Sequence, residues 1–149
     1  MSIEIPAGFR RVDLARNPFL DRVGPLYARL ADGEFVLGFR VEPGHCNPGG
    51  TCHGGMMSTL ADMLLILGAN AQANLQRYMT TVNLSLDFLG PAPNGCWLEG
   101  RAQVLRVTRS LVFAQGTMTR DGEPVLRASA ILKPVGEPSP DHGAARYAG

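Results

Sequence analysis

The second half of the chain alternates between apolar and polar residues, which is the pattern of a β-strand with one buried face. The clearest case is residues 81–88, where every second side chain is apolar: Val82, Leu84, Leu86 and Phe88. Residues 97–107, 111–120 and 124–135 are predicted as three further strands. Tight turns at 91–95 and at 121–122 predict that these strands form an antiparallel sheet.

The first half is predicted to begin with a short helix and a hairpin. Asn17-Pro18 is typical of a helix N-cap followed by proline in the first turn, and this helix is expected to reach about Val23. Apolar runs at 26–30 and 35–41 flank Asp32-Gly33, a pair that favours a hairpin turn. Residues 43–52 contain too many prolines and glycines for regular structure and are predicted as a loop.

A long helix is predicted from Gly54 to about Asn74, because only Gly68 interrupts a run of good helix formers. A helix of about 21 residues spans about 31 Å. Its central part is apolar on almost every side, so the helix is expected to be buried rather than to lie on a surface. A buried helix and an antiparallel sheet predict an α+β fold in which the sheet wraps around the helix.

Length and charge limit the class of protein. The 149 residues suit a single domain, which we expect over 1–136, with a short N-terminal extension at 1–23 and a flexible tail at 137–149. A formal net charge of +1 provides no broad basic surface for nucleic acid or an anionic membrane. The first residues lack a signal-peptide pattern, and the most apolar stretch, 56–69, is too short to span a bilayer. A cytoplasmic protein is therefore expected.

Asp62 is the acidic residue within the apolar part of the long helix. Burying an unpaired carboxylate in such surroundings is costly in free energy. One explanation places Asp62 at a wet edge of the helix, bonded to Ser58 or Thr59 one turn back. The other places it in a cleft as a desolvated catalytic base. We favour the catalytic explanation because of the residues that precede the helix.

His53-Gly54-Gly55 marks the point where the predicted loop becomes the helix. The first amides of a helix lack intrahelical acceptors and lie at the positive end of its dipole, so they can stabilise an oxyanion. Glycines let a substrate approach these amides, although glycines that serve only a tight turn would give the same pattern. Residues 53 and 62 point to opposite sides of the helix, about 13 Å apart along its axis. Cooperation between them therefore predicts a two-fold dimer with antiparallel helices and two shared sites.

Four short motifs occur together at fixed spacing. They are Asn47-x-x-Gly50-x-x-His53-Gly54-Gly55, Leu60-Ala61-Asp62, Thr81-Val82-Asn83-Leu84 and Phe88-Leu89-x-Pro91. From about Gly24 to Val135 the chain resembles the hot-dog thioesterases of the phenylacetic-acid-degradation (PaaI-like) type. The resemblance implies a hot-dog fold, in which one long helix is wrapped by an antiparallel sheet of five or six strands. It also implies sites that lie across dimer interfaces, often within homotetramers.

The same resemblance implies acyl-CoA thioesterase activity and assigns roles to five residues. The backbone N–H of Gly54 would polarise the thioester carbonyl, while Asn47 and His53 would position the thioester and the water. Asp62 of the partner chain would act as general base or as nucleophile, and Thr81 would orient Asp62 or the water. No cofactor is implied, since coenzyme A is part of the substrate. The acyl group itself is not fixed by the sequence.

A short basic segment is the candidate site for the phosphates of coenzyme A. Arg106 and Arg109 stand beside Thr108 and Ser110 near a predicted strand junction, and the planar donor group of arginine suits phosphate. The resemblance implies nucleotide binding near this segment, with Gly90-Pro91 lining the pantetheine channel. Solvated arginines at a strand edge would give the same pattern.

Four other interpretations are weighed against this one. A zinc site at Cys46 and Cys52 would have unusual spacing and no second cysteine pair, so no metal is predicted, and the odd cysteine count favours free thiols. Cys52 as a nucleophile would need His53 beside it, but adjacent residues point apart. A hydratase would need a histidine soon after Asp62, and the next one is His142. A non-catalytic acyl-CoA-binding or sensing protein on the same fold is the main alternative to an enzyme.

Overall fold

A computed structural model describes residues 4–14 and 17–142 of the chain. Within them the elements, in chain order, are β1 (Arg10–Arg11), α1 (Pro18–Val23), β2 (Tyr27–Ala31), β3 (Glu34–Arg40), α2 (Gly54–Ala73), β4 (Tyr78–Phe88), β5 (Trp97–Val107), β6 (Val112–Arg120) and β7 (Glu123–Val135). Short 3-10 helices occur at Pro43–His45 and Pro140–His142. Both predicted helices and all six predicted strands are present, with boundaries that shift by at most three residues.

The strands form one antiparallel sheet in the order β1-β2-β3-β5-β6-β7-β4. Six long strands agree with the predicted architecture, and the two-residue β1 adds a short seventh strand at one edge. Both predicted Asp-Gly turns form tight hairpins with left-handed backbones, with φ of 52° and 76° at Asp32-Gly33 and 49° and 82° at Asp121-Gly122.

Helix α2 lies across one face of this sheet and forms the centre of the core. His53 caps its start, and Asn74 ends it in the left-handed conformation. The side chains of Leu60, Leu64 and Leu65 are fully buried against the strands. Gly68, the apparent interruption in the helix, is where α2 comes closest to β5, because an added Cβ would lie 2.6 Å from that of Ala102. The prediction of a buried central helix is confirmed.

Strand β4 is the open edge of the sheet. It pairs with β7 on one side, and on its other side no strand of the described residues lies next to it. Leu84 and Leu86 are partly buried against the core as the alternation predicts, but Val82 and Phe88 are 58% and 56% exposed. A register shift between Thr81 and Asn83 displaces Val82 from the ladder. An eleven-residue edge strand with exposed apolar side chains is an unusual feature of a monomer, because such edges invite pairing.

Helix α1 and the 3-10 helix at Pro140–His142 both lie near α2 and β4, where they line one cavity. In α1, the Asn17 side chain accepts a hydrogen bond from the N–H of Leu20 (3.2 Å), as the N-cap prediction requires. Residues 139–142, which the sequence places in the loose tail, are held by a bond from Ser139 N to Gln76 O (2.7 Å) and by the ring of His142 on Tyr78. Residues 143–149 lie outside the described residues. Among those described, no helix has the length and apolarity to cross a bilayer.

Candidate functional site

Asp62 and Thr81 form a hydrogen-bonded pair between α2 and β4. The Thr81 hydroxyl donates to Oδ1 of Asp62 over 2.5 Å. Asp62 is half-buried, and Oδ2 is left as the carboxylate oxygen that Thr81 does not bind. A hydroxyl that donates to a carboxylate fixes its rotamer and keeps the second oxygen available as an acceptor. The sequence-predicted partnership of these two residues is therefore present within a single chain.

The alternative explanation for Asp62, a bond to Ser58 or Thr59, does not occur. The Ser58 hydroxyl donates instead to the Gly54 carbonyl (2.7 Å), and the Thr59 hydroxyl donates to the Gly55 carbonyl (3.0 Å). Both hydroxyls satisfy the backbone of the preceding turn, as is common for serine and threonine within helices. Asp62 is thus held from β4 and not by its own helix.

A cavity of about 840 Å³ opens beside Asp62 and Thr81. Its walls come from α1, from the middle of α2 and from the start of β4, and their apolar part includes Leu20, Met63 and Ile66. The polar part includes Asn70, Arg77 and His142 beside Asp62 and Thr81. A cavity of this size with a mixed lining suits an organic substrate that carries polar groups. Asp62 therefore faces a cleft and not the core.

The start of α2 presents a second polar cluster. His53 is the N-cap, and its Nδ1 accepts a hydrogen bond from the N–H of Gly55 (2.8 Å). Because Nδ1 is an acceptor, the neutral ring carries its proton on Nε2, which is then a donor. The Gly54 N–H has no acceptor among the described residues. An added Cβ at Gly54 would make an ordinary contact with Phe88 at 3.7 Å, so packing within the chain does not require glycine there.

Asn47 stabilises the loop that leads into this helix start. Its Oδ1 accepts hydrogen bonds from the N–H groups of Gly49 (2.9 Å) and Thr51 (3.3 Å), and its Nδ2 donates to the Thr51 hydroxyl (3.0 Å). One Nδ2 hydrogen is left over for any other partner. Most of the hydrogen-bonding groups of the Asn47 side chain are thus used within the loop, which leaves one N–H for the predicted role in positioning water.

The two polar clusters are separate within one chain. The donor cluster lies at the start of α2 and the Asp62–Thr81 pair lies in its middle, about 13 Å further along the axis and on the opposite side. A carbonyl group cannot contact both. The predicted catalytic residues therefore lie in two groups, which we name the donor half-site (His53 and Gly54, with Asn47 behind them) and the acceptor half-site (Asp62 and Thr81).

Sequence reasoning missed the contribution of α1. A second cavity of about 590 Å³ adjoins the start of α2 and is lined by Phe19 and Arg22 of α1 and by His53 and Gly55. Phe19 also lines the cavity beside Asp62, as does Thr59, so the two cavities are neighbours. Asn17-Pro18 marked this helix in the sequence, but nothing in the sequence showed where the helix packs.

The basic segment lies at the end of the sheet that carries the acceptor half-site. Residues 108–111 form the turn between β5 and β6, in which the Thr108 hydroxyl bonds both the N–H and the carbonyl of Leu111. Strand register places this turn level with Thr81, since Thr81 pairs with Leu132, and Leu132 with Val112 beside the turn. Only β7 lies between β6 and β4, so the turn between β5 and β6 is roughly 10 to 14 Å from β4. Arg106, Thr108, Arg109 and Ser110 are all exposed.

Gly90-Pro91 lies at the other end of β4, beside the donor half-site. It follows Phe88, whose ring approaches Gly54, and Phe88 is roughly 23 Å from Thr81 along the strand. The six residues predicted to bind coenzyme A therefore do not form one site within a chain. The basic turn lies at the end of the sheet that carries the acceptor half-site, and Gly90-Pro91 lies beside the donor half-site.

The cysteines are free thiols, and their environment bears on two of the alternatives. Cys46, Cys52 and Cys96 make no disulfide. Burial raises the pKa of Cys52 to about 12, with smaller contributions from Cys46 and Cys96, so this thiol is protonated at neutral pH and is a poor nucleophile. Among the described residues, no group of three or more histidine, cysteine, aspartate or glutamate side chains is arranged to hold a metal ion.

Comparison with known proteins gives consistent matches. Residues 49–126 match the family model of the thioesterase superfamily. A protein of Pseudomonas aeruginosa named "Putative esterase" is 35% identical over 131 residues, which cover 87% of this chain and 97% of that protein.

Solved structures extend the match to the whole fold. Zebrafish thioesterase superfamily member 2 superposes with a TM-score of 0.70 at 30% identity, covering 83% of this chain and 91% of that one. The phenylacetic acid degradation protein PaaI of Thermus thermophilus gives 0.68 at 25% identity, covering 80% and 100%. A Streptococcus pneumoniae thioesterase protein solved with coenzyme A gives 0.66 at 21% identity, covering 76% and 88%.

These matches agree with the resemblance seen in the motifs, and the fold is that of the hot-dog proteins, with one long helix against an antiparallel sheet. The matched residues include His53, Gly54, Asp62 and Thr81, whereas Asn47 lies just before them. The chain belongs to the thioesterase superfamily.

Proposed function

We propose that this protein hydrolyses the thioester of an acyl-CoA to a free acid and coenzyme A, at sites that each combine half-sites from two chains. The observation that carries the proposal is the carboxylate of Asp62, which Thr81 holds by a hydrogen bond on the wall of a large cavity lined by both apolar and polar side chains. A carboxylate held in one orientation in a cleft is a candidate general base.

The chemistry requires one base and one set of donors. Asp62 takes a proton from a water molecule, and the resulting hydroxide attacks the thioester carbonyl carbon. The negative charge that develops on the carbonyl oxygen is stabilised by the Gly54 N–H of the other chain, assisted by the Nε2–H of His53. Collapse of the tetrahedral intermediate breaks the carbon–sulfur bond, and the departing thiolate takes up the proton that Asp62 had accepted, which releases the thiol of coenzyme A and restores the carboxylate. Thr81 holds Asp62 in the orientation that this proton transfer needs.

The open edge of the sheet supports the dimer. Pairing of β4 with the β4 of a second chain, related by a two-fold axis, would continue the sheet and cover Val82. It would also place the two α2 helices antiparallel on the same side, so that the start of each faces the middle of the other. The same rotation brings Gly90-Pro91 of one chain towards the basic turn of its partner. The same dimer would thus bring the donor half-site to the acceptor half-site and Gly90-Pro91 to the basic turn. Further pairing of dimers would give the expected homotetramer.

Two observations support coenzyme A as part of the substrate. A related structure, the Streptococcus pneumoniae thioesterase protein, was solved with coenzyme A, and the exposed Arg106 and Arg109 can bind phosphates. The cavity beside Asp62 would hold the acyl group, and its volume admits a medium-length aliphatic chain or an aromatic ring.

The test is a panel of aliphatic and aromatic acyl-CoA esters, with turnover followed by release of free thiol. The wild-type protein is expected to hydrolyse at least one of them. Asp62→Asn keeps the size of the side chain but removes the base, and it is expected to lower kcat by about 10²- to 10⁴-fold with KM little changed. Thermal unfolding of both proteins controls for loss of the fold.

Each outcome of this experiment is informative. Hydrolysis that persists in Asp62→Asn would remove Asp62 from the mechanism. Tight binding of an acyl-CoA by the wild type with no release of thiol would instead support the non-catalytic binding protein. A protein that gel filtration shows to be strictly monomeric, and that still hydrolyses acyl-CoA, would contradict the shared site.

A further inference from the structure

Two of the three free cysteines face each other across a short β-ribbon just before α2. The loop 45–53 folds back on itself, with Cys46 and Cys52 as bridge partners in antiparallel orientation. The N–H of Asn47 bonds to the carbonyl of Thr51 (2.8 Å), and the N–H of His53 bonds to the carbonyl of His45 (2.8 Å). These two bonds flank the cysteines on either side.

This pattern defines the cysteines as a non-hydrogen-bonded pair. In such a pair the bonds come from the neighbouring residues, while the N–H groups of the pair itself point outward. Both cysteines do so, since Cys52 N bonds to Ala92 O (2.7 Å) and Cys46 N to Pro43 O (3.1 Å). The Cα atoms of a non-hydrogen-bonded pair are roughly 4.5 Å apart and their side chains lie on the same face. A disulfide accepts Cα separations from roughly 4.4 to 6.8 Å.

We propose that Cys46 and Cys52 are a thiol modification site that small disulfides oxidise reversibly to an intramolecular disulfide, and that this bond lowers turnover. Its position carries the proposal, because the two cysteines directly precede Asn47 and His53 in the chain. In each strand of the ribbon, a cysteine is therefore followed directly by a residue of the donor half-site. The effect on turnover rests on the proposed function, whereas formation of the bond does not.

The order of events follows from exposure. Cys46 is half-buried and lines the 590 Å³ cavity at the start of α2, so a small reagent reaches it first. Cys52 is only 7% exposed. The Cys46 thiolate attacks one sulfur of a disulfide RSSR, forming a mixed disulfide and releasing one thiolate RS⁻. The Cys52 thiolate then attacks Sγ of Cys46, forming the Cys46–Cys52 bond and releasing the second RS⁻. Two protein thiols are oxidised, one RSSR is reduced, and the two thiol protons end on the two released thiolates.

The second step is expected to be slow and to accelerate with pH. Burial, and to a smaller extent the neighbouring Cys46 and Cys96, raise the pKa of Cys52 to about 12. Over the whole range below that value the thiolate fraction rises about tenfold for each pH unit. The mixed disulfide on Cys46 should therefore be detectable near neutral pH and should convert to the internal disulfide as pH is raised.

The effect on turnover follows from the geometry of the donor half-site. The His53 ring caps α2 and stands next to the Gly54 N–H. The expected Cα separation of roughly 4.5 Å is at the short end of the range for disulfides, which is most often about 5.5–6 Å. Closing the bond should therefore widen the ribbon by about 1 Å and shift the groups that follow it. Catalytic groups tolerate little displacement. We expect turnover to fall at least fivefold on oxidation and to recover on reduction.

The test uses the purified full-length chain and oxidised glutathione, with peptide mapping by mass spectrometry and turnover measured on the same samples. The expected product has lost two hydrogens and carries a Cys46–Cys52 peptide pair. Cys52→Ser should stop at the glutathione adduct of Cys46, and Cys46→Ser should form neither product. Cys96→Ser is the matched control, because it removes a nearby thiol and should leave both the bond and the loss of turnover unchanged.

Three results would overturn the proposal. They are thiols that remain free after exposure to oxidised glutathione, a mapped bond that uses Cys96, and a Cys46–Cys52 bond with turnover within twofold of the reduced protein. If the reduced protein has no thioesterase activity at all, the proposed function fails, and the peptide map still decides whether the modification site exists.

Discussion

The start and the middle of α2 make opposite contributions to chemistry. At the start, the backbone provides donors that packing within the chain leaves open, with the Gly54 N–H unpaired among the described residues and the His53 ring turned to present Nε2–H. In the middle, a side chain provides an acceptor, since Thr81 holds one oxygen of Asp62 and leaves the other. Hydrolysis of an ester needs both, and one chain offers them about 13 Å apart. This difference is the reason for proposing that each region supplies half of a shared site.

The donor half-site can be broken without changing a side chain that faces the substrate. Gly54→Pro replaces the N–H with the Cδ of the proline ring and keeps the helix start, because proline is accepted at the first position of a helix. The extended backbone of His53, with φ −61° and ψ 141°, is also the conformation that a residue before proline requires. We expect kcat to fall by about 10²- to 10³-fold, the usual loss for one oxyanion donor. Gly54→Ala is the matched control, since it keeps the N–H and its Cβ would fit beside Phe88.

The same variant tests whether the half-sites come from different chains. Gly54→Pro and Asp62→Asn, co-expressed with different affinity tags, should each be nearly inactive alone. If sites are shared, a mixed dimer contains one site with both half-sites intact, so an equal mixture should recover about a quarter of wild-type activity. If each site belonged to one chain, the mixture would stay inactive, and that result would refute the dimer site.

Much of the acceptor half-site could be predicted from the sequence, and the reason is local. Asp62 stands out because its neighbours along α2 are apolar, and Thr81 begins a clear alternation in β4. What the sequence could not show is distance between segments. Nothing in it placed Phe19 of α1 in the lining of two cavities, or put Gly90-Pro91 and the basic turn at opposite ends of the sheet. These relations depend on register and packing, which single-residue patterns do not encode.

Strand β4, at the edge of the sheet, also shows that a sequence pattern does not reveal packing. Alternation in 81–88 predicted a strand, and the strand is present, but alternation assigns Val82 and Phe88 to a buried face and both are exposed. The register shift at Thr81/Asn83 and the position of β4 at the edge decide the outcome. Periodicity identifies the strand and does not reveal what lies beside it.

The contact between Thr81 and Asp62 can be removed with little change in volume. Thr81→Val deletes the hydroxyl that donates over 2.5 Å, so Asp62 is no longer oriented. Hydrogen bonds to charged groups contribute about 1.5–3 kcal/mol, so we expect kcat to fall about tenfold to hundredfold. Thr81→Ser keeps the donor and should retain most activity. Similar losses in both variants would show that Thr81 acts through packing and not through its hydroxyl.

His53 has two roles at the start of α2 that substitution can separate. His53→Asn retains a good N-cap acceptor but lacks the Nε2–H, whereas His53→Ala loses both. We expect about a tenfold fall in kcat in both variants, while only His53→Ala loses stability, by about 1 kcal/mol of unfolding free energy, as is typical for removal of an N-cap. Urea unfolding and steady-state kinetics of both variants check this. Unchanged kcat in His53→Asn would limit His53 to capping.

The smallest effect is expected from the exposed arginines, which lie furthest from the reacting atoms. Arg106→Ala and Arg109→Ala should each raise KM for an acyl-CoA by about threefold, because solvent-exposed charges are screened and contribute little individually. The matched control is a change of substrate and not of residue. An N-acetylcysteamine thioester with the same acyl group lacks the nucleotide phosphates, so its KM should be equal in the variants and the wild type. A phosphate-binding turn predicts that raising the salt concentration removes the difference between variant and wild type for acyl-CoA alone. If KM rises equally for both thioesters, the arginines act on the fold of the turn, and the phosphates of coenzyme A must bind elsewhere.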